Sequence, residues 1–287
     1  MKRLHPASVG EALAWVRDQL RSVQLPDAER EAILLVACAL GVDRSYLMAH
    51  PEQPLTPAQW ARLERWTRRR CRREPLAYIT GRRWFYGLEL VVARGVLVPR
   101  PETELLVEMF LEWARSKPSG ILVDAGVGSG AILWACLHHA PNWWGVGVDR
   151  SWRALRVAQR NQRRLSLMGR SVLVCADWLS ALRPHSVDAV LSNPPYVAPE
   201  ELEGLEPEVA LWEPRSALVD PSGDPLRPYQ QLARSAREVL KSGGLLAMEI
   251  SPAIAEGVQD LLRELGYGAV QVRHDLAGLP RGVMGEC

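Results

Sequence analysis

Ile121-Leu122-Val123-Asp124-Ala125-Gly126-Val127-Gly128-Ser129-Gly130 runs from an apolar segment closed by an acid into a turn with glycine at three alternate positions. Residues 121–124 read as a strand, Gly126 to Gly130 as a tight turn, and Ala131 to His138 as the start of a helix. Glycine is needed where φ is positive and where backbone must approach a ligand closely. A strand, a glycine turn and a helix in that order leave free backbone N–H groups at a helix N-terminus.

About 20 residues further on, the spacing at which nucleotide-binding sheets place a ribose-binding acid, a second strand-like run, Gly145 to Val148, ends in Asp149. The G-x-G-x-G spacing lacks the third glycine position of the dinucleotide fingerprint, which argues against NAD. With no pyrophosphate to hold, the nucleoside ligand it favours is S-adenosylmethionine (SAM). In isolation a G-x-G-x-G also reads as an ordinary turn.

The third signal is Asn193-Pro194-Pro195-Tyr196, at the carboxyl end of the mostly apolar run Val187 to Leu191. Neither proline has an N–H, so the backbone there presents only carbonyl acceptors. The Asn193 side chain adds an amide oxygen and Tyr196 a flat ring. Two acceptors that take both hydrogens of an –NH2 group turn its lone pair toward an electrophile. This positions the nitrogen without a general base. A plain Asn-Pro turn is the competing reading of the tetrapeptide alone; the glycine turn and Asp149 upstream weigh against it.

Composition narrows the class. A chain of 287 residues can build one large or two modest domains. The net charge of +2 gives no global pull toward nucleic acid. Cys38, Cys71, Cys136, Cys175 and Cys287 form no C-x-x-C pair. They read as reduced core thiols of a cytosolic, cytoplasmic protein, with neither a zinc site nor a disulfide framework. The opening MKRLHPASVGEAL has basic residues but no apolar stretch behind them, which argues against a signal peptide. No run approaches the roughly 18 apolar residues of a membrane span. The six histidines, His138-His139 included, have no nucleophile or ligand set beside them and read as structural or surface residues.

Residues 1–75 contain no convincing strand. Ser8-x-x-Glu11 opens a first helix carrying Val9, Leu13, Val16 and Leu20. A second begins near Asp27 and stops at Gly41, and Thr56-Pro57-Ala58-Gln59 opens a third that runs to about Arg73. Residues 76–98 are β-rich with glycine turns and read as a hairpin. Beyond Pro101, strands and helices alternate: helix 102–116, strand 121–124, helix 130–139, strand 145–149, helix 151–165, strands 171–176 and 187–192, helix 226–240, strand 243–250, helix 253–265 and strand 268–274. The expected fold is therefore α/β, a doubly wound, mostly parallel, Rossmann-like sheet behind a small N-terminal helical bundle (1–75) and a linking β hairpin (76–100), with 101–287 as the catalytic domain. Ligands of such sheets bind at the strands' carboxyl ends, where the glycine turn, Asp149, Asp177-Trp178 and the Asn-Pro-Pro-Tyr segment all fall.

These residues carry a family resemblance. The C-terminal two thirds resembles the class I SAM-dependent methyltransferases, and in detail the chain is similar to the release-factor glutamine methyltransferases of the PrmC/HemK family. The matching segments are PLAYITG (75–81), WFYGLEL (84–90), GVLVPRPETE (95–104), ADW (176–178), NPPY (193–196), EPRSAL (213–218) and DLAG (275–278). GVLVPRPETE is the most specific, since the ribosomal-protein glutamine methyltransferases share NPPY but typically lack the Pro-Glu-Thr-Glu continuation. Three positions depart from the pattern: Val127 stands in place of the usual Thr, Ser251-Pro252 follows Glu249-Ile250 where a Gly is usual, and Pro225-Leu226 replaces Gly-Leu.

The resemblance implies methyl transfer from SAM to the side-chain amide nitrogen of the Gln in the Gly-Gly-Gln loop of class 1 peptide release factors, with S-adenosylhomocysteine as product. It implies that Gly126, Val127, Gly128, Ser129 and Gly130 lie under the methionine portion of SAM and that Asp149 holds the ribose hydroxyls. Asp177 and Trp178 would flank the adenine. Asn193, beside the cofactor, and the Pro194 carbonyl would take the hydrogens of the acceptor amide, with Pro195 and Tyr196 packing against it; Asn193, Pro194 and Tyr196 are the expected catalytic set. Glu102 and Glu104 fall in a first helical turn, where acids favour the dipole, against a part in closing the site. No metal or membrane partner is implied. The rival reading is an adenine amino-methyltransferase acting on flipped bases of DNA or RNA. Its only basic candidate is Arg68-Arg69-Arg70-Cys71-Arg72-Arg73, which reads instead as a solvated helix end. A SAM-binding scaffold without activity is the third reading, disfavoured because the acceptor motif is intact.

Overall fold

The computed structural model describes residues 8–287; the first seven residues of the segment weighed as a leader lie outside them. The chain divides into two compact units. One holds the chain up to Gly81 together with Pro207–Trp212, and the other holds Arg82–Glu206 and Glu213–Cys287.

The first unit is helical: α1 (Val9–Ser22), α2 (Ala28–Leu40), α3 (Arg44–Ala49), α4 (Pro57–Arg70) and α5 (Leu76–Thr80). The Ser8 hydroxyl accepts from Glu11 N, and Thr56 and Gln59 close a full capping box with Pro57 at the first helical position. Gly41 ends α2 at φ 76°. Val9, Val16, Leu20, Leu35, Val36, Leu47 and Leu63 form the core of the unit, each almost fully buried. Residues 76–80, expected as the start of a hairpin, instead form the short helix α5. Pro75 starts it, Gly81 at φ 76° ends it, and Ala77, Tyr78 and Ile79 are buried. Here burial outweighs the β preference of Tyr, Ile and Thr.

The arginine run also departs from expectation. Arg70 is 4% exposed. Its Nε lies 2.5 Å from Glu31 Oε2 and its Nη1 2.7 Å from Glu208 Oε1. Arg73 Nη2 reaches the other oxygen of Glu208 at 2.8 Å. Arg69 makes a two-pronged bond to the buried Glu74, at 2.8 and 2.7 Å. Glu208 belongs to α9 (Pro207–Trp212), the segment this unit draws from the far part of the chain. Burial works against its ionisation, but Arg70 and Arg73 hold its carboxyl below the usual carboxylate range.

The second unit opens with a hairpin, β1 (Arg82–Phe85) and β2 (Leu88–Val91), joined by Tyr86 and Gly87 at φ 45° and 75°. This is the geometry of a two-residue loop whose twist matches its strands. Glu104 Oε1 accepts from Tyr86 N at 2.8 Å, which gives that acid a fixed partner beyond the helix dipole. After a 3-10 turn at Pro101–Thr103 follow α6 (Glu104–Ala114), β3 (Gly120–Ala125), α7 (Ala131–His139), β4 (Trp143–Asp149), α8 (Trp152–Arg164), β5 (Ser171–Cys175) and β6 (Val187–Ser192). Beyond α9 come α10 (Arg227–Val239), β7 (Leu240–Glu249), α11 (Ala255–Glu264), β8 (Gly268–His274) and β9 (Pro280–Glu286).

The seven-stranded sheet has the order β5-β4-β3-β6-β7-β9-β8. Its first five strands are parallel, and β9 is antiparallel to both neighbours. Leu106, Phe110, Leu133, Trp134 and Leu155 of α6, α7 and α8 pack on one face. Tyr229, Leu232, Val258 and Leu262 of α10 and α11 pack on the other. The sheet is thus doubly wound, with the order reversing beside β3, where such folds bind ligands.

Strand β9 is absent from the sequence reading. Proline and two glycines in Pro280-Arg281-Gly282-Val283-Met284-Gly285-Glu286 lower its strand signal. Yet a Cβ on Gly282 would stand 2.7 Å from Met109 Sδ of α6, so close helix packing demands glycine there. Of the cysteines, expected as core thiols, only Cys136 is buried, whereas Cys38 and Cys175 are exposed.

Candidate active site

The second unit contains a cavity of about 510 Å³ at the carboxyl ends of β3, β4 and β6, a size suited to a nucleoside-sized ligand. Gly126, Val127, Gly128 and Ser129 line it, with Asp149, Asp177, Trp178, Asn193, Pro194 and Pro195. These residues come from four separate segments, and parallel strands leave all four on the same edge of the sheet.

The glycine turn is built for close approach. Gly126, Gly128 and Gly130 have φ of 81°, 54° and 85°. A Cβ on Gly126 would meet no protein atom within 4 Å, whereas one on Gly130 would lie 1.8 Å from Trp134 Nε1. Gly126 therefore leaves room for a ligand, and Gly130 lets the buried Trp134 tuck under the turn. Gly130 itself does not line the cavity. Asn161, wholly buried on α8, holds the turn from behind. Its Nδ2 donates to Ser129 O and to Val91 O, both at 2.9 Å, and its Oδ1 accepts from Val91 N at 2.7 Å.

Asp149 ends β4. Its Oδ2 accepts from Gly128 N at 3.0 Å and its Oδ1 from Ser151 N at 2.8 Å. An ionised carboxylate has about four lone-pair sites, so both oxygens retain acceptor capacity toward the cavity. Burial raises the Asp149 pKa, opposed by the two backbone N–H groups and Arg150. The donor set fits SAM: paired acceptors for a ribose diol, an open glycine turn, and Trp178, whose Nε1 donates to Gln231 Oε1 at 3.2 Å. Beneath the turn, Asp124 is 1% exposed and its pKa is pushed up to about 7, chiefly by burial.

Asn193 and Pro194 follow β6 directly, and Asn193 Nδ2 donates to Thr103 Oγ1 at 3.3 Å. Tyr196 is placed otherwise than expected. It does not line the cavity; its hydroxyl donates to Glu249 Oε1 at 3.2 Å, and its ring packs against the buried cluster below the strand ends. Burial pushes the Tyr196 pKa far up and also raises that of Glu249.

Several lining residues went unread as site residues: Arg100, Thr103, Arg150, Ser216 and Arg227 among them. The signal for three of them, Arg100, Thr103 and Ser216, was available, because PRPETE and EPRSAL are among the motifs that carry the resemblance. The structure brings those motifs together: Glu213 accepts from Val98 N at 3.3 Å and pairs with Arg100 Nη2 at 2.6 Å. Among the described residues no group of His, Cys, Asp and Glu is arranged to hold a metal.

Among solved structures, the T. thermophilus 16S rRNA N2 G1207 methyltransferase (RsmC), in complex with AdoMet and guanosine, matches with a TM-score of 0.52 at 19% identity, covering 71% of this chain and 49% of that one. At that identity the likeness concerns the fold, which is that of a class I SAM-dependent methyltransferase. Residues 11–81 match the PrmC N-terminal domain and residues 101–206 the methyltransferase small domain. Release factor glutamine methyltransferases of Caulobacter vibrioides and Cereibacter sphaeroides are each 39% identical, over 95% and 94% of this chain and 94% and 95% of their own. That of Moorella thermoacetica is also 39% identical, over 96% of this chain and 95% of its own. The chain belongs to the release factor glutamine methyltransferase family.

Proposed function

We propose that this protein transfers the methyl group of SAM to the side-chain amide nitrogen of the Gln in the Gly-Gly-Gln loop of class 1 peptide release factors, leaving S-adenosylhomocysteine. The observation that carries this reading is the presence of Asn193 and Pro194 in one cavity with the Gly126–Ser129 turn and Asp149. When bound, SAM supplies a sulfonium-activated methyl group. The chain's residues supply position. Gly126 to Ser129 admit the methionine portion, Asp149 takes the ribose hydroxyls, and Asp177 and Trp178 border the adenine.

Asn193 Oδ1 and the Pro194 carbonyl accept the two hydrogens of the substrate amide. This fixes the amide plane, so that the nitrogen lone pair, perpendicular to that plane, faces the methyl group. The nitrogen gains the methyl and gives up one proton to water. Alignment and exclusion of solvent provide most of the rate. Tyr196, anchored on Glu249, holds the Pro194-Pro195 backbone from below.

We assign the helical unit the docking of the release-factor body, since a pocket for a bare amide does not by itself select one glutamine. Its match to the PrmC N-terminal domain supports this. A substrate in the translation machinery supports the cytoplasm as the enzyme's place of action. The adenine alternative loses its basic patch, because Arg69, Arg70 and Arg73 are engaged by Glu74, Glu31 and Glu208. Incubation with labelled SAM tests the reading: label should enter purified release factor and not duplex DNA, and the reverse would overturn it.

A further inference from the structure

A side-chain amide offers a carbonyl oxygen on one side and an NH2 on the other. Asn193 can accept a hydrogen from a substrate amide in only one of its two flips; in the other it would set donor against donor. Something must choose the flip. Asn193 Nδ2 donates to Thr103 Oγ1 at 3.3 Å, which leaves Oδ1 as the atom free to accept.

Thr103 is suited to that task. It is 5% exposed, and it lines the same cavity. It sits in the 3-10 turn Pro101–Thr103, whose first residue has its φ restricted by the proline ring. The residues on either side of the turn are also fastened: Arg100 to Glu213 at 2.6 Å, and Glu104 to Tyr86 N at 2.8 Å. A hydroxyl can donate or accept, but that of Thr103 gives its hydrogen to the buried Glu249 carboxylate, so its oxygen is left to accept from the NH2 end of the Asn193 amide.

The far end of the same tetrapeptide is held too. Tyr196 donates to the carboxylate of Glu249, which is 1% exposed, and Tyr229 donates to the Glu249 backbone carbonyl at 2.7 Å. Burial raises the Glu249 pKa, while the Thr103 and Tyr196 hydroxyls oppose that rise. Thr103 and Glu249 therefore brace Asn193-Pro194-Pro195-Tyr196 at both ends.

We propose that Thr103 is a positioning residue for methyl transfer: by accepting from Asn193 Nδ2 it locks the amide so that Oδ1 is presented to the acceptor nitrogen. The proposal rests on Asn193 being the group that orients the substrate amide.

The test uses the full-length protein with release factor and SAM, and compares Thr103→Val, which keeps shape and loses the hydroxyl, with Thr103→Ser, which keeps the hydroxyl. Loss of one neutral hydrogen bond lets the wrong flip compete, so Thr103→Val should lower kcat roughly tenfold. The KM for release factor, the SAM dissociation constant and the melting temperature should stay near wild type. Thr103→Ser should regain most of the lost kcat. Normal kcat in Thr103→Val, or a serine variant as impaired as the valine one, would overturn the proposal. Should the valine variant not fold, Thr103→Ala takes its place in the comparison. Asn193→Ala separates the two levels. If it abolishes turnover while Thr103→Val does not, only the role of Thr103 fails. If it leaves turnover intact, the reading of Asn193 fails as well.

Discussion

Arg70 Nη1 lies 2.7 Å from Glu208 Oε1, so a residue at the end of α4 holds a helix drawn from the segment after Asn-Pro-Pro-Tyr. With Glu31 on its other side, Arg70 neutralises two acids whose side chains are only 17% and 12% exposed. Breaking a buried ion pair from one side strands the remaining charges and costs about 3–5 kcal/mol. Arg70→Met should therefore destabilise the protein by about that much. Arg68→Met, at a surface pair with Glu64, should cost about 0.5 kcal/mol or less. Chemical denaturation followed by circular dichroism checks both.

The contrast marks what the sequence could disclose. The parallel sheet was readable because period and turn chemistry are local: an apolar run, a glycine turn and a helix occupy consecutive residues from 121 to 138. Asp149 and Asn193 were readable because the one ends a strand and the other follows one directly. Arg70 was not, because its neighbours Arg68 and Arg72 share its local pattern, and only the fold brings Glu31 and Glu208 to it. Strand β9 and helix α5 were hidden for a related reason. Gly282 answers to Met109 and Ile79 to the helical core, both set by packing. Tyr196 carried a motif but no direction; its partner Glu249 comes from another strand.

Asp149 is expected to be a main determinant of cofactor affinity. Removing a charged acceptor from a ribose contact costs roughly 1.5–3 kcal/mol. Asp149→Ala should raise the SAM dissociation constant roughly tenfold or more. Titration calorimetry reads this directly, and unchanged affinity would take Asp149 out of the site.

Asp124 sets a pH dependence of stability. Its folded pKa of about 7 lies above the unfolded carboxyl value of 3.8, so between those values the folded state binds the extra proton. Stability from this group is complete below the unfolded pKa and is lost as pH rises toward 7, by a few kcal/mol in all. Asp124→Asn keeps an acceptor for Leu133 N–H and cannot ionise. Its melting temperature should fall less than that of wild type between pH 5 and pH 8. Parallel declines in the two proteins would contradict the burial argument.

Asn193→Ala should abolish methyl transfer while SAM binding stays within about threefold, since most of the cavity's cofactor-facing residues come from other segments. Single-turnover transfer assays with parallel calorimetry separate the two effects. A variant with near-normal turnover would remove the acceptor-orienting mechanism.

The central claim is that this site methylates one particular amide nitrogen. Peptide-mapping mass spectrometry of a class 1 release factor, incubated with the enzyme and SAM, tests it most directly. A single methyl group on the Gln of the Gly-Gly-Gln loop, absent with Asn193→Ala, is the predicted result. A methyl group on another residue, or an unmodified release factor beside a methylated nucleic acid, would contradict it.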